Sequence, residues 1–225
     1  MTRTTNARIA GFTFLFYIAA GISSMILFGR AAGGEGIVAK LASIAQHATD
    51  VRITVLLGLL ECFSALVLAV TLYAITREQD ADLAILALTC RVGEGLIGAA
   101  GIPSTLGLLW LATATGASAP DPGAARALGA FLLHGNPQVA ATFFAVGSTI
   151  FSWLLLRGRM IPIPLAWLGV VASVLLVVGL PLQLAGFLHG PVISFMWLPM
   201  AAFEVPLALW LLVKGVAMPA RMRSA

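Results

Sequence analysis

Six apolar runs, each close to the length that crosses a bilayer, constrain this chain more than any other feature. A helix rises 1.5 Å per residue, so about 20 apolar residues cross a hydrocarbon core about 30 Å thick. Residues 9–28, 53–75, 83–112, 138–156, 163–188 and 192–214 meet that length. Charged residues make up only 10% of the chain, against about 25% in an average soluble domain. That is too few to coat a water-exposed surface. The expected class is all-α: a polytopic membrane helical bundle of six transmembrane helices, forming one membrane-embedded domain over residues 1–225 with the lipid bilayer as its first partner.

The first run follows Arg3 and Arg8 and resembles a signal peptide at first sight. A cleavable apolar core is about 7–15 residues, and this run is longer, so it reads as a retained helix. The third run is long enough to tilt, or to bend at Pro103.

Charge placement sets the orientation. With the N-terminus inside, Arg3, Arg8, Arg77, Arg157, Arg159, Lys214, Arg221 and Arg223 fall on the cytoplasmic side, and Arg30, Lys40, Arg52 and Arg126 on the other. This asymmetry follows the positive-inside rule and places both termini in the cytoplasm. Trp110 and Trp197 fall near outer ends of spans, and Trp153, Trp167 and Trp210 near inner ends, as an aromatic belt requires. The basic residues sit at span ends, so the net charge of +4 is a topology signal and gives no reason to expect nucleic acid.

After the first span, Ile37, Leu41, Ile44, Ala48 and Val51 recur at spacings of three and four, with Lys40, Ser43, His47 and Asp50 on the other side. That period predicts an amphipathic helix at the outer surface, packed against its own bundle. Residues 115–126 contain Pro120, Asp121, Pro122 and Gly123 and read as a turn.

The opening Arg8-Ile9-Ala10-Gly11-Phe12 runs straight into the first span, and Arg91-Val92-Gly93-Glu94-Gly95 stands early in the third. With the six-span layout, these motifs resemble an uncharacterised bacterial membrane family, domain-of-unknown-function family 4386. The resemblance implies a helical bundle in a bacterial inner membrane. It implies no activity and transfers no catalytic residues.

Charges inside spans point to a site. Each Asp, Lys or Arg at the bilayer centre costs about 2.5–3.5 kcal/mol on insertion scales, so such residues persist when they pair or serve a function. Glu61 lies in the second span, Arg91 and Glu94 in the third and Glu204 in the sixth. Helix rise places the three carboxyls near the middle of the core, and Arg91 shares a helix face with Glu94. Fully ionised, the four residues carry a net charge of −2, which favours a bound proton, cation or basic group. Pro199 and Pro206 bracket Glu204; each frees a carbonyl one turn earlier, which fits an interrupted helix lining a pocket and equally an ordinary kink used for packing.

Other chemistry finds little support. Gly93-Glu94-Gly95-Leu96-Ile97-Gly98 matches GxGxxG but lacks the strand context of a dinucleotide site; Gly93, Gly95, Gly98, Ala99 and Gly101 read instead as close helix contacts. No Walker A loop, nucleophile elbow or zinc spacing occurs, and no motif names a cofactor. His47, His134 and His189 read as solvated loop residues, and Cys62 and Cys90 as small core residues. Three functions fit: binding or transport of a proton, cation or small amphiphile at Glu61, Arg91, Glu94 and Glu204; a structural accessory subunit of a membrane complex; or an intramembrane enzyme acting on a lipid or isoprenoid.

Overall fold

A computed structural model describes residues 1–116, 119–133 and 138–218. No strand occurs among them. The helices are α1 (Arg3–Ala31), α2 (Gly36–Gln46), α3 (Ala48–Thr76), α4 (Ala81–Thr113), α5 (Pro122–Leu133), α6 (Gln138–Arg157), α7 (Ile163–Leu184), α8 (Val192–Phe195) and α9 (Leu198–Val213). Among the described residues six spans are long and apolar enough to cross a membrane, the fourth counted over Pro122–Arg157 and the last over α8 and α9 together. Large apolar side chains point outward from them: Phe12 is 63% exposed, Met25 69% and Val171 61%. Water would oppose that surface, and acyl chains match it. The protein is a membrane helical bundle.

The chain divides into two compact units. The first comprises Met1–Tyr17, Phe63–Ile97 and the chain from Gln138 onward; the second comprises Ile18–Cys62 and Gly98–Pro137.

In the first unit, α7 turns small side chains inward at helical spacing: Ala166, Gly169, Ala172, Ser173 and Gly179 are buried. Small residues let helix backbones approach closely, and α7 packs on both α6 and α9. One end of this unit gathers the charged links. Glu78 and Asp80, in the short connection between α3 and α4, pair with Arg3 and with Arg157, the latter at 3.4 Å. Asp80 Oδ1 also accepts a bond from the Leu83 amide at 3.2 Å and so caps the start of α4. The tail returns to the same end, where the Ala217 amide donates to the Met160 carbonyl at 3.0 Å.

In the second unit, Ala31, Ile44, Val51, Leu108 and Leu109 form the core. The predicted amphipathic helix is α2, and its Ile37 and Leu41 lie against Gly129 of α5. The apolar period continues across a helix boundary, because α2 stops at His47 and Ala48 opens α3. Arg30 and Asp50 pair at 3.0 Å where α1 ends and α3 begins.

Two expectations change. Residues 115–126 are not simply a turn, because α5 starts at Pro122. Asp121 Oδ1 accepts from the amides of Gly123 at 2.9 Å and Ala124 at 3.0 Å, so Asp121 caps the helix and Pro122 takes the first position, where its missing N–H costs nothing. The last span is broken before Pro199, since α8 ends at Phe195 and α9 begins at Leu198. Pro199 therefore opens a helix instead of interrupting one, and only Pro206 lies inside α9. His134, Arg221 and Arg223 lie outside the described residues.

Candidate functional site

The first unit brings Arg91, Glu94 and Glu204 together. Arg91 leaves α4 at 1% exposure and is the largest of the fully buried side chains. Its Nη1 lies 2.8 Å from Glu94 Oε2, three residues along the same helix. The distance is that of an ion pair, but the alignment is not that of a hydrogen bond: Nε, Nη1 and Nη2 find no hydrogen-bond acceptor among the described residues.

Aromatic faces surround the guanidinium instead. Its Cζ lies 4.9 Å from the Phe144 ring centre, 5.9 Å from Phe14 and 5.9 Å from Tyr17. A ring face presents negative charge to a cation, and such a contact is worth about 2 kcal/mol or more when desolvated. Phe144 is held in turn by Trp197, stacked at 6.2 Å. Trp197 stands in the break between α8 and α9.

Close helix approach makes the arrangement possible. A Cβ on Gly147 of α6 would lie 3.2 Å from Arg91 Cγ and from the Ala87 carbonyl. Gly93 plays the same part against the Phe143 ring, at 2.7 Å. Gly98 makes only ordinary contact, with Cys62, and a Cβ on Gly101 would meet nothing within 4 Å, so the glycine run is not a uniform contact stripe.

Tyr17 was not singled out by the sequence reading. Its hydroxyl donates to Glu94 Oε1 at 2.8 Å and ties α1 to α4. A signal was available: a phenol inside an apolar span needs a polar partner, and Tyr17 follows Phe14 by about one helical turn.

Glu204 completes the group from α9. It is 7% exposed and within electrostatic reach of Arg91 and Glu94. It lines a cavity shared with Phe14, Leu72, Ser148, Ser152 and Phe203, among others. The space open to the centre of a water-sized sphere is about 10 Å³, about what one water requires. Ser148 and Ser152 share a face of α6 through their i,i+4 spacing. Their neighbours Thr142 and Thr149 turn their hydroxyls back onto carbonyls of the same helix, whereas these two serines line the cavity.

Glu61, the fourth predicted residue, belongs to the second unit. There a Cβ on Gly21 would stand 3.6 Å from Glu61 Oε2. Among the described residues, no three His, Cys, Asp or Glu side chains gather as a metal site. His47 Nδ1 lies 2.9 Å from the Ser43 carbonyl. Cys62 and Cys90 are free, with Cys90 buried.

The model of a protein family described as a domain of unknown function, DUF4386, matches residues 9–215. The chain belongs to the DUF4386 family. The match includes both motifs noted in the sequence almost in full, and takes in Tyr17, Glu61, Arg91, Glu94 and Glu204 of this DUF4386 chain. No curated protein and no solved structure matches it.

Proposed function

We propose that the buried Arg91–Glu94–Glu204 group holds a small cation, either a proton or a metal ion, and that the protein serves binding or transport in a bacterial inner membrane. The observation that carries this is the charge count in a buried place. Arg91 and Glu94 face each other at 2.8 Å and balance. Glu204 adds a second carboxyl, so the group carries −1 when all three are ionised. An uncompensated charge in a low-dielectric interior is costly, and one bound cation removes it. A cavity of water size at Glu204 favours a small cation over an amphiphile. The charged links gathered at one end of the first unit, with Arg3, Arg77, Arg157 and Lys214, support a cytoplasmic placement of that end.

Glu204→Gln keeps the shape of the side chain and removes its charge. The expected result is a pH dependence of thermal unfolding, measured on the detergent-purified protein, that is flattened in the variant. Superimposable pH profiles would contradict the proposal.

One observation favours the accessory-subunit reading. The Tyr17–Glu94 hydrogen bond and the rings around Arg91 connect α1, α4 and α6 directly, as a purely structural lock would. On that reading stoichiometric protein partners copurify, and neither sodium nor potassium shifts the unfolding midpoint.

A further inference from the structure

The cavity beside Glu204 has a chemistry more specific than its size. Its polar lining residues are Glu204 from α9 and Ser148 and Ser152 from α6, whose side chains carry oxygen as their polar atom. Phe14 of α1 and Leu72 of α3 close it with apolar surface. Among the described residues that line it, Glu204 is the only titratable group, and the charged groups behind it are Arg91 and Glu94, with the Tyr17 phenol on Glu94.

We infer that this cavity is a binding site for one alkali-metal cation, sodium or potassium, with the Glu204 carboxylate as counter-charge and the Ser148 and Ser152 hydroxyls as neutral ligands. The inference rests on the reading that the cluster holds a small cation, and names which cation and which ligands. Charge selects the valence. Arg91 (+1), Glu94 (−1) and Glu204 (−1) leave −1, which a monovalent ion neutralises and a divalent ion would overshoot to +1. Ligand type selects the class, since carboxylate and hydroxyl oxygens suit hard cations and no sulfur or imidazole faces the space. Size excludes organic cations, because the space is that of about one water. Arg91 has a distinct part: paired with Glu94 and ringed by aromatics, it leaves Glu204 as the carboxylate available to the ion.

Ser152 is placed by a third helix. A Cβ on Gly169 of α7 would stand 2.7 Å from Ser152 Oγ and would overlap the Phe203 ring. The glycine lets Ser152 and the residue preceding Glu204 occupy adjacent positions.

The test uses the full chain purified in detergent, with thermal unfolding followed in sodium, potassium and choline chloride at fixed pH and equal ionic strength. A ligand that binds only the folded state raises the midpoint in a saturable way. The expected result is such a rise in sodium or potassium and none in choline. Replacing both serines, as Ser148→Ala with Ser152→Ala, raises the half-saturating concentration by about tenfold or more, because two neutral ligands are lost. Glu204→Gln abolishes the rise. Equal midpoints in all three salts at every concentration would overturn the inference, and that comparison requires no variant. If the salts are equal but Glu204→Gln still flattens the pH profile, the proton is the ligand and only this inference falls. If both measurements are flat, the broader reading falls with it.

Discussion

Replacing Arg91 by methionine keeps much of the side-chain volume and removes the charge. The structure allows the cost to be worked out. At 2.8 Å from Glu94 Oε2, the Coulomb attraction at an effective dielectric of 20 is about 6 kcal/mol. Much of that offsets the desolvation of two groups that are 1% and 6% exposed. What the variant loses is therefore nearer the range measured when one partner of a buried pair is deleted, about 3–5 kcal/mol. The three ring contacts go with it and are already contained in that figure. Glu94→Gln leaves the guanidinium without its partner and costs a similar amount. The double variant Arg91→Met with Glu94→Gln orphans neither member of the pair, so it costs less than the sum, with a coupling of about 2–3 kcal/mol. The assay is reversible unfolding in mixed micelles, followed by tryptophan fluorescence, over the full double-mutant cycle. An additive cycle, or an Arg91→Met cost below about 1 kcal/mol, would refute the ion pair as the organising contact of the site.

Gly169→Ala should cost about 1–3 kcal/mol through overpacking against Phe203 and Ser152, despite the better helix propensity of alanine; thermal unfolding measures it, and an unchanged midpoint refutes the close approach. Gly11→Ala is expected to be worse, because its Cβ would lie 2.6 Å from the Ala208 carbonyl oxygen and the Leu212 nitrogen, backbone atoms of α9 that cannot rotate away. A loss of folded protein in size-exclusion chromatography is the outcome, and a wild-type yield contradicts the α1–α9 packing. Asp121→Ala removes the cap of α5 and should cost about 1 kcal/mol locally. Faster hydrogen exchange at Gly123 and Ala124 reports it, and unchanged exchange would mean that the cap contributes nothing.

The spans were legible because each had to be apolar over a bilayer's thickness, and α1, α3, α4, α6 and α7 all fall on predicted runs. The helix ends were less so. Pro120-Asp121-Pro122-Gly123 reads as a turn, although an Asp followed by Pro is equally a helix start; only the apolar stretch after Arg126 decides between them. Pro199 was read as an interruption because proline breaks helices, but at a helix start it is favoured, and sequence alone does not show that the chain stops and restarts after Phe195. The site was partly legible. The cost of burying charge marked Glu61, Arg91, Glu94 and Glu204 alike, and α4 spacing paired Arg91 with Glu94; it did not show that Glu61 belongs to the other unit. Tyr17, Ser148 and Ser152 were not found, since a phenol or a hydroxyl in a membrane helix is common and often bonds its own backbone. Which helices face one another decides their role, and that information resides in the packing of α6, α7 and α9.

Infrared difference spectroscopy on the purified protein tests most directly whether Glu204 exchanges a small cation. The spectrum is recorded as the protein is cycled between acid and neutral buffer, with and without sodium and potassium, for wild type and Glu204→Gln. The expected result is a carboxyl band that responds to the bound species in the wild type and is missing from the variant. Identical difference spectra from the two proteins would contradict it.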